Sequence, residues 1–223
     1  MRDVYHEQLG QLVDRLAGMS RMVSESMERA TFAISESDLD VACHIVADHA
    51  RLEQAWSDAE HYAFAILALQ SPVATDLRVV LAAIHATKSL ARMGSLTVHM
   101  AEAVQRRHPH PVVPQLLMPR FAEMGRIAIW LAAMAGQVIV TRDLTFARTL
   151  ATVDEEMDDL HRTLFTVIDY QEWAYGTAAA VDVTLLSRLY ERFADHAVSV
   201  ARHSTYAVTG RPSFDDVAVA TSR

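Results

Sequence analysis

Apolar residues recur every three or four positions along most of this chain, which is the spacing that places them on one face of an α-helix. The first such stretch covers residues 9–30 and is followed by the polar segment 35–38. Asp38 is well placed to cap a second stretch, which continues over residues 39–66. The pattern therefore predicts two long, consecutive helices at the start of the chain.

Breaks in this pattern coincide with prolines. Ser71 suits a helix N-cap and Pro72 suits the first helical position, so we predict a third helix from about residue 72 to about residue 106. Asp76 falls near its first turn, where a negative charge complements the helix dipole. Four of the six prolines lie within residues 108–119, which indicates a linker.

The second half of the chain repeats the first. Three more helices are predicted over about residues 116–140, 143–170 and 178–208, and Gly210 ends the last one. With an offset of 105 the segment around Asp38 aligns with that around Asp143, and with an offset of 100 Arg92 aligns with Arg192.

This repeat predicts an all-α fold of two tandem three-helix bundles with six long helices. The predicted domains are a first repeat at 1–108, a Pro-rich linker at 109–115, a second repeat at 116–209 and a C-terminal tail at 210–223.

Composition removes several functional classes. The net charge of −8 argues against binding nucleic acid through bulk electrostatics. The single cysteine, Cys43, excludes an internal disulfide and a cysteine zinc site. The sequence opens with no signal peptide and has no run of 18 apolar residues, so we expect a cytoplasmic protein without a transmembrane segment. A Gly-rich phosphate loop, a Ser-His-Asp arrangement and a nucleophilic cysteine are all missing, so we expect no enzyme.

Two acidic pairs in the second half are candidates for metal binding. Asp154 and Asp158 are four residues apart on the fifth predicted helix, and Glu191 and Asp195 are four apart on the sixth. Each pair therefore shares one helical face. If the two faces meet, four carboxylates repel one another unless a cation binds, and oxygen ligands suit Mg²⁺, Mn²⁺, Ca²⁺ or iron. The alternative is a solvated acidic face that binds nothing, which is the commoner outcome for this spacing.

Three segments resemble signatures of the PhoU family. Residues 191–197 read Glu-Arg-Phe-Ala-Asp-His-Ala, close to the family pattern Glu-Arg-x-Gly-Asp-His-Ala. Residues 70–78 resemble a second pattern, Gln-x-Pro-x-Ala-Ser/Thr-Asp-Leu-Arg, through Pro72, Asp76 and Arg78. The family's acidic pair at spacing four corresponds to residues 154–158.

This resemblance implies a set of properties that the pattern alone does not give. It implies cytoplasmic, negative control of phosphate uptake and of the phosphate-starvation genes of the Pho regulon. It implies contacts with the ATPase and membrane components of the Pst phosphate transporter and with a membrane sensor histidine kinase, and a homodimer. It also implies multinuclear metal clusters at acidic Glu/Asp-x-x-x-Asp motifs. For carboxylate ligands we expect iron, manganese or magnesium before zinc.

The first half departs from the family pattern at its metal site. Ala91 and Ser95 stand where the third helix should carry carboxylates, and His49 and Glu53 align with the acidic pair of the fifth helix. We therefore expect at most one cluster per chain, at the second half, and at most a weak second site at His49 and Glu53.

Neighbouring side chains receive supporting interpretations. We expect Arg92 and Arg192, which recur in both halves, to orient carboxylates rather than to bind a substrate. His99 is interpreted as packed or hydrogen-bonded, and His196 as lying outside the ligand shell. Trp173 and Tyr175, between the last two helices, are interpreted as packing in the turn.

Two other functions remain open at this stage. A di-metal carboxylate oxidase on a helical bundle needs a Glu-x-x-His motif on each of two helices. The nearest match here is a single Asp158-x-x-His161. A helical scaffold that binds no metal is the other alternative.

Overall fold

The computed structural model describes residues 2–170 and 173–211, and within them every regular element is helical. The expected all-α fold is thus confirmed. The elements are α1 (Arg2–Glu36), α2 (Leu39–Gln70), α3 (Ala74–Arg107), a 3₁₀ turn (Gln115–Leu117), α4 (Met118–Thr141), α5 (Leu144–Tyr170) and α6 (Gly176–Thr209).

Two of the predicted helix ends are confirmed by their local bonds. The Asp38 carboxylate accepts a hydrogen bond of 2.9 Å from the Val41 N–H, which caps α2. Gly210 takes a φ of 73°, a left-handed value that glycine adopts without strain, and its N–H donates to the Tyr206 carbonyl at 2.9 Å.

The start of α3 differs from the prediction. Ser71 does not cap α3: it ends α2 in a left-handed conformation with a φ of 45°. Pro72 disfavours the helical conformation in the residue before it, so the break falls at Ser71 and the chain stays extended at Val73. Helix α3 therefore begins at Ala74, two residues later than predicted, and Asp76 lies in its first turn as expected.

The Pro-rich connection between the halves is packed rather than loose. Val112, Val113 and Pro114 are buried in the core. Pro119 lies in the first turn of α4, where its missing N–H costs nothing. The connection therefore contributes apolar surface to the fold.

The halves pack against each other through four helices. Helix α1 lies antiparallel to α4, because Ser20 contacts Ala132 and Ser24 contacts Ile129. Helix α3 lies antiparallel to α6 in the same way. Helix α2 covers α1 and α3, and α5 covers α4 and α6. Buried side chains of both halves form one continuous core.

Helix α4 is the described helix with the composition of a membrane span. Gln115–Thr141 is long and apolar enough to cross a bilayer, yet half of its most apolar window is buried inside the molecule. It packs against α1, α5 and α6. This environment is that of a core helix, which passes the same compositional test.

Small residues allow α1 and α4 to approach closely. A Cβ on Gly125 would lie 2.3 Å from Thr31 Cγ2, and one on Gly136 would lie 2.7 Å from Ser20 Oγ. The Thr31 hydroxyl is bonded at 3.0 Å to the fully buried phenol of Tyr190 on α6. The Gly125 position therefore couples α1, α4 and α6.

Replacing Gly125 by alanine is expected to lower the free energy of unfolding by about 2–4 kcal/mol. Thr31 is β-branched, so it cannot rotate away from the new methyl group without moving its hydroxyl from Tyr190. Urea denaturation measures the change. The control is Gly10→Ala, where the added Cβ meets nothing within 4 Å; it should stabilise by about 0.5–1 kcal/mol. A Gly125→Ala protein as stable as wild type would show that the contact is not tight.

Candidate functional site: an acidic cluster between α5 and α6

The four predicted carboxylates come together where α5 packs on α6. Asp154 and Asp158 lie on α5, and Glu191 and Asp195 lie on α6. Burial raises the pKa of Asp154 to about 7, and the negative charges of Asp158, Asp195 and Glu191 add to that rise while Arg202 opposes it. The two pairs thus act on one another electrostatically, because the helical faces that carry them meet in the fold.

Glu191 is the most constrained member of this acidic cluster. Burial raises the pKa of its carboxyl, Asp195 and Asp158 add to the rise, and Arg188 opposes it. Arg188 donates a hydrogen bond to Glu191 Oε1. The other oxygen, Oε2, is buried and has no hydrogen-bond partner in the part of the chain that the structure describes. A buried acceptor without a partner is costly, which leaves this oxygen available to a cation.

The four carboxylates are suitable ligands for a hard cation, although they are not gathered around a single point. All four groups are carboxylates, the ligands that magnesium, manganese and iron accept. Within residues 2–170 and 173–211, no three His, Cys, Asp or Glu side chains stand close enough to hold one ion. Side-chain rotation would have to bring the oxygens of the acidic cluster inward.

The corresponding region of the first half lacks such a cluster. His49 Nε2 lies 3.6 Å from Glu53 Oε1 on α2. On α3, Ala91 and Ser95 carry no carboxylate, and Ser95 donates its hydroxyl to the Ala91 carbonyl at 3.1 Å. Nearby Asp48 is bound by Arg29 at 2.7 Å, and this hydrogen bond lowers the pKa of its carboxyl.

The segment 70–78 builds a corner of the fold. Arg78 donates to Thr75 Oγ1 at 3.0 Å, and a Cβ on Gly210 would lie 3.6 Å from Arg78 Nε. Burial raises the pKa of Tyr5, and the charge of Asp76 adds to the rise. The corner therefore joins the beginnings of α1 and α3 to the end of α6.

Both repeats match a known domain. Residues 16–104 and 121–203 each match the PhoU domain. The chain belongs to the PhoU family. The two matched segments agree with the tandem repeat expected from the sequence and with the six helices described above.

Relatives cover almost the whole chain. PhoU homolog 2 of Mycobacterium tuberculosis, named a phosphate-specific transport system accessory protein, is 48% identical over 210 residues, covering 94% of this chain and 99% of the relative. PhoU homolog 1 of Mycobacterium leprae, with the same description, is 46% identical over 216 residues, covering 97% of each chain.

Solved PhoU structures have the same fold. The phosphate transport system regulatory protein PhoU from Streptococcus pneumoniae superposes with a TM-score of 0.83 at 22% identity, covering 94% of this chain and 99% of that one. PhoU from Pseudomonas aeruginosa superposes with a TM-score of 0.81 at 20% identity, covering 93% and 100%.

The arginine that contacts Glu191 of the acidic cluster is Arg188, not one of the two arginines of the PhoU signature. Arg92 and Arg192 are both exposed. Arg192 is near enough to oppose the rise in the pKa of Glu191, but it is Arg188 that binds the carboxylate. Sequence reasoning missed Arg188, although its place three residues before Glu191 on a helix was the available signal.

The histidines near the acidic cluster have other partners. His161 shares a hydrogen bond of 2.9 Å with Ser187, and burial lowers its pKa. The partner of Nδ1 in the one partial match to an oxidase motif is thus a serine hydroxyl. His196 is half-buried; burial lowers its pKa, and Arg192 and Arg92 contribute. His99 pairs with Glu102 at 3.1 Å, a hydrogen-bonded state as expected.

The aromatic pair between α5 and α6 packs in the turn. Trp173 Nε1 donates to the Gly176 carbonyl at 2.6 Å, and its ring meets that of Tyr175 edge-on with centroids 5.2 Å apart. This agrees with the packing interpretation, although Tyr175 remains 47% exposed.

A stacked histidine pair at the α3–α6 interface was not predicted. The rings of His85 and His203 lie parallel, with centroids 4.7 Å apart. Burial lowers the pKa of His203 to about 4, and the charges of His85 and Arg202 contribute. In the folded protein His203 is therefore neutral at neutral pH.

Acidification is expected to weaken the fold through His203. Its usual pKa is 6.5 and its folded value about 4, so the unfolded chain binds a proton first. The stabilising contribution is complete above pH 6.5 and is lost as the pH falls towards 4. The loss should be about 1–2 kcal/mol, allowing for partial exposure. Urea denaturation measures the free energy of unfolding at each pH. Its dependence on pH should be weaker for His203→Gln than for wild type or for the exposed control His110→Gln. The same pH dependence in all three proteins would contradict this role of His203.

Proposed function

We propose that this protein is a cytoplasmic, negative regulator of phosphate uptake by the Pst transporter and of phosphate-starvation genes. The observation that carries the proposal is the match of both repeats to the PhoU domain, with relatives named as accessory proteins of phosphate-specific transport. Regulation of this kind needs contact surfaces rather than a catalytic centre. It therefore accords with a chain in which exposed helices make up most of the surface.

We further propose that the acidic cluster holds one multinuclear metal centre per chain, of iron, manganese or magnesium. The support is the mutual electrostatic effect of Asp154, Asp158, Glu191 and Asp195 and the buried, unpaired oxygen of Glu191. Bound cations would offset the repulsion between the carboxylates. The first half, with one imidazole and one carboxylate at this position, is proposed to hold a weak ion or none.

The proposed partners are the ATPase and membrane components of the Pst transporter and a membrane sensor histidine kinase, and the proposed assembly is a homodimer. The test is a pull-down with the tagged full-length chain from membranes of cells grown in high and in low phosphate. We expect transporter or kinase components to be recovered, in amounts that depend on phosphate. Recovery of neither component under either condition would contradict the proposal.

A further inference from the structure

A groove runs along the outer side of the α3–α6 contact. It encloses about 290 Å³ near the end of α3 and the beginning of α6. Its apolar part is formed by Leu185, Leu186 and Leu189, and Leu185 remains 55% exposed. Leu186 is buried and Leu189 partly buried, so Leu185 is the main apolar surface that the chain's own helices leave uncovered here.

Basic side chains lie in and beside this groove. On α3, Lys88, Arg92, His99 and Arg106 recur at spacings of four and seven, which places them on one face, although Lys88 and Arg92 lie outside the lining of the groove itself. His99 and Arg106 contact the groove, which fixes the direction of that face. Every member of this set is exposed.

Helix α6 contributes a matching set. Arg188 and Arg192 line the groove, and the internal repeat relates them to Lys88 and Arg92. Both Arg188 and Arg192 are exposed.

Carboxylates offset part of the charge of this groove. Asp182 pairs with Arg107 and Glu191 with Arg188, while Glu102 lies 3.1 Å from His99. In the part of the chain that the structure describes, Arg106 and Arg192 form no ion pair with a carboxylate. A basic groove of this kind stands out in a chain whose net charge is −8.

We propose that this basic groove binds an acidic, amphipathic helical segment of a partner protein, with the apolar face of the segment on the leucines and its carboxylates against the basic rims. The shape and the alternation of apolar floor and charged rim fit a helix lying in a groove. Nucleic acid fits poorly, because two carboxylates of the acidic cluster lie on α6 and would repel its phosphates. A small anion fits poorly because the cations are all exposed. The proposal rests on the proposed function, for which it names the contact surface.

The test places a photo-crosslinking amino acid at Leu185 in the full-length chain, expressed in cells that lack the native copy. The control position is Leu69, which is 76% exposed at the end of α2. We expect crosslinking from Leu185 to one protein segment with acidic and apolar residues at helical spacing. A crosslink to a neutral or basic segment, to lipid or to nucleic acid, or none at all, would overturn the proposal.

Charge reversal tests the same surface independently. Lys88→Glu, Arg92→Glu and Arg106→Glu together should reduce the crosslink by about tenfold or more. Arg21→Glu, Arg51→Glu and Arg148→Glu change the net charge equally at exposed sites on α1, α2 and α5 and should leave it intact. An equal loss of the crosslink in both triple variants would show that net charge, rather than this groove, governs binding. If phosphate repression fails in neither variant while deletion of the gene abolishes it, the groove is wrong and the proposed function stands.

Discussion

If the acidic cluster holds the proposed metal centre, replacing Glu191 and Asp195 together by alanine is expected to remove metal from the purified protein while leaving it helical. The change deletes both α6 carboxylates of the acidic cluster, including the buried oxygen without a partner. Neither residue belongs to the buried apolar stripe of α6, which contains Tyr190, Phe193 and Ala197. Elemental analysis of the purified protein measures metal content, and circular dichroism measures helicity.

The matched control for this variant is Glu155→Ala with Glu156→Ala. Both residues are exposed on α5, and their removal changes the net charge by the same amount. This control should keep its metal. Removing two of four mutually repelling carboxylates should also leave the metal-free variant at least as stable as metal-free wild type. Equal metal content in the variant and the control would show that the acidic cluster is not the binding site.

The helices could be predicted because their apolar spacing is regular over many turns. The errors fall where a single residue decides the local conformation: Ser71 is a plausible N-cap by residue type, yet the proline after it makes it the end of α2. The packed connection at Val112 and Val113 was missed for a similar reason. Prolines indicate a break in helix, but they do not say whether the chain at that break is buried.

The acidic cluster was only half predictable. Spacing of four assigned each carboxylate pair to one face of its helix, but the meeting of α5 and α6 is a property of the tertiary fold. The contact of Gly125 with Thr31, and that of Thr31 with Tyr190, join residues far apart in sequence. No local pattern shows such contacts, and the same holds for the stacking of His85 on His203.

Deleting the gene is expected to leave phosphate uptake and phosphate-starvation genes active in phosphate-rich medium. The proposed role is negative, so its loss removes repression rather than a transport step. Mycobacterium tuberculosis carries both a PhoU homolog 1 and a PhoU homolog 2. A second copy in the same cell would conceal the effect, so the strain has to lack every paralogue.

The decisive measurement is the rate of phosphate uptake, together with a starvation-gene reporter, in that strain grown in phosphate-rich medium with and without this gene restored. The account predicts high uptake and an active reporter without the gene, and a return of both to repressed levels when it is expressed. Unrepressed uptake and reporter activity that do not respond to the restored gene would contradict the central claim.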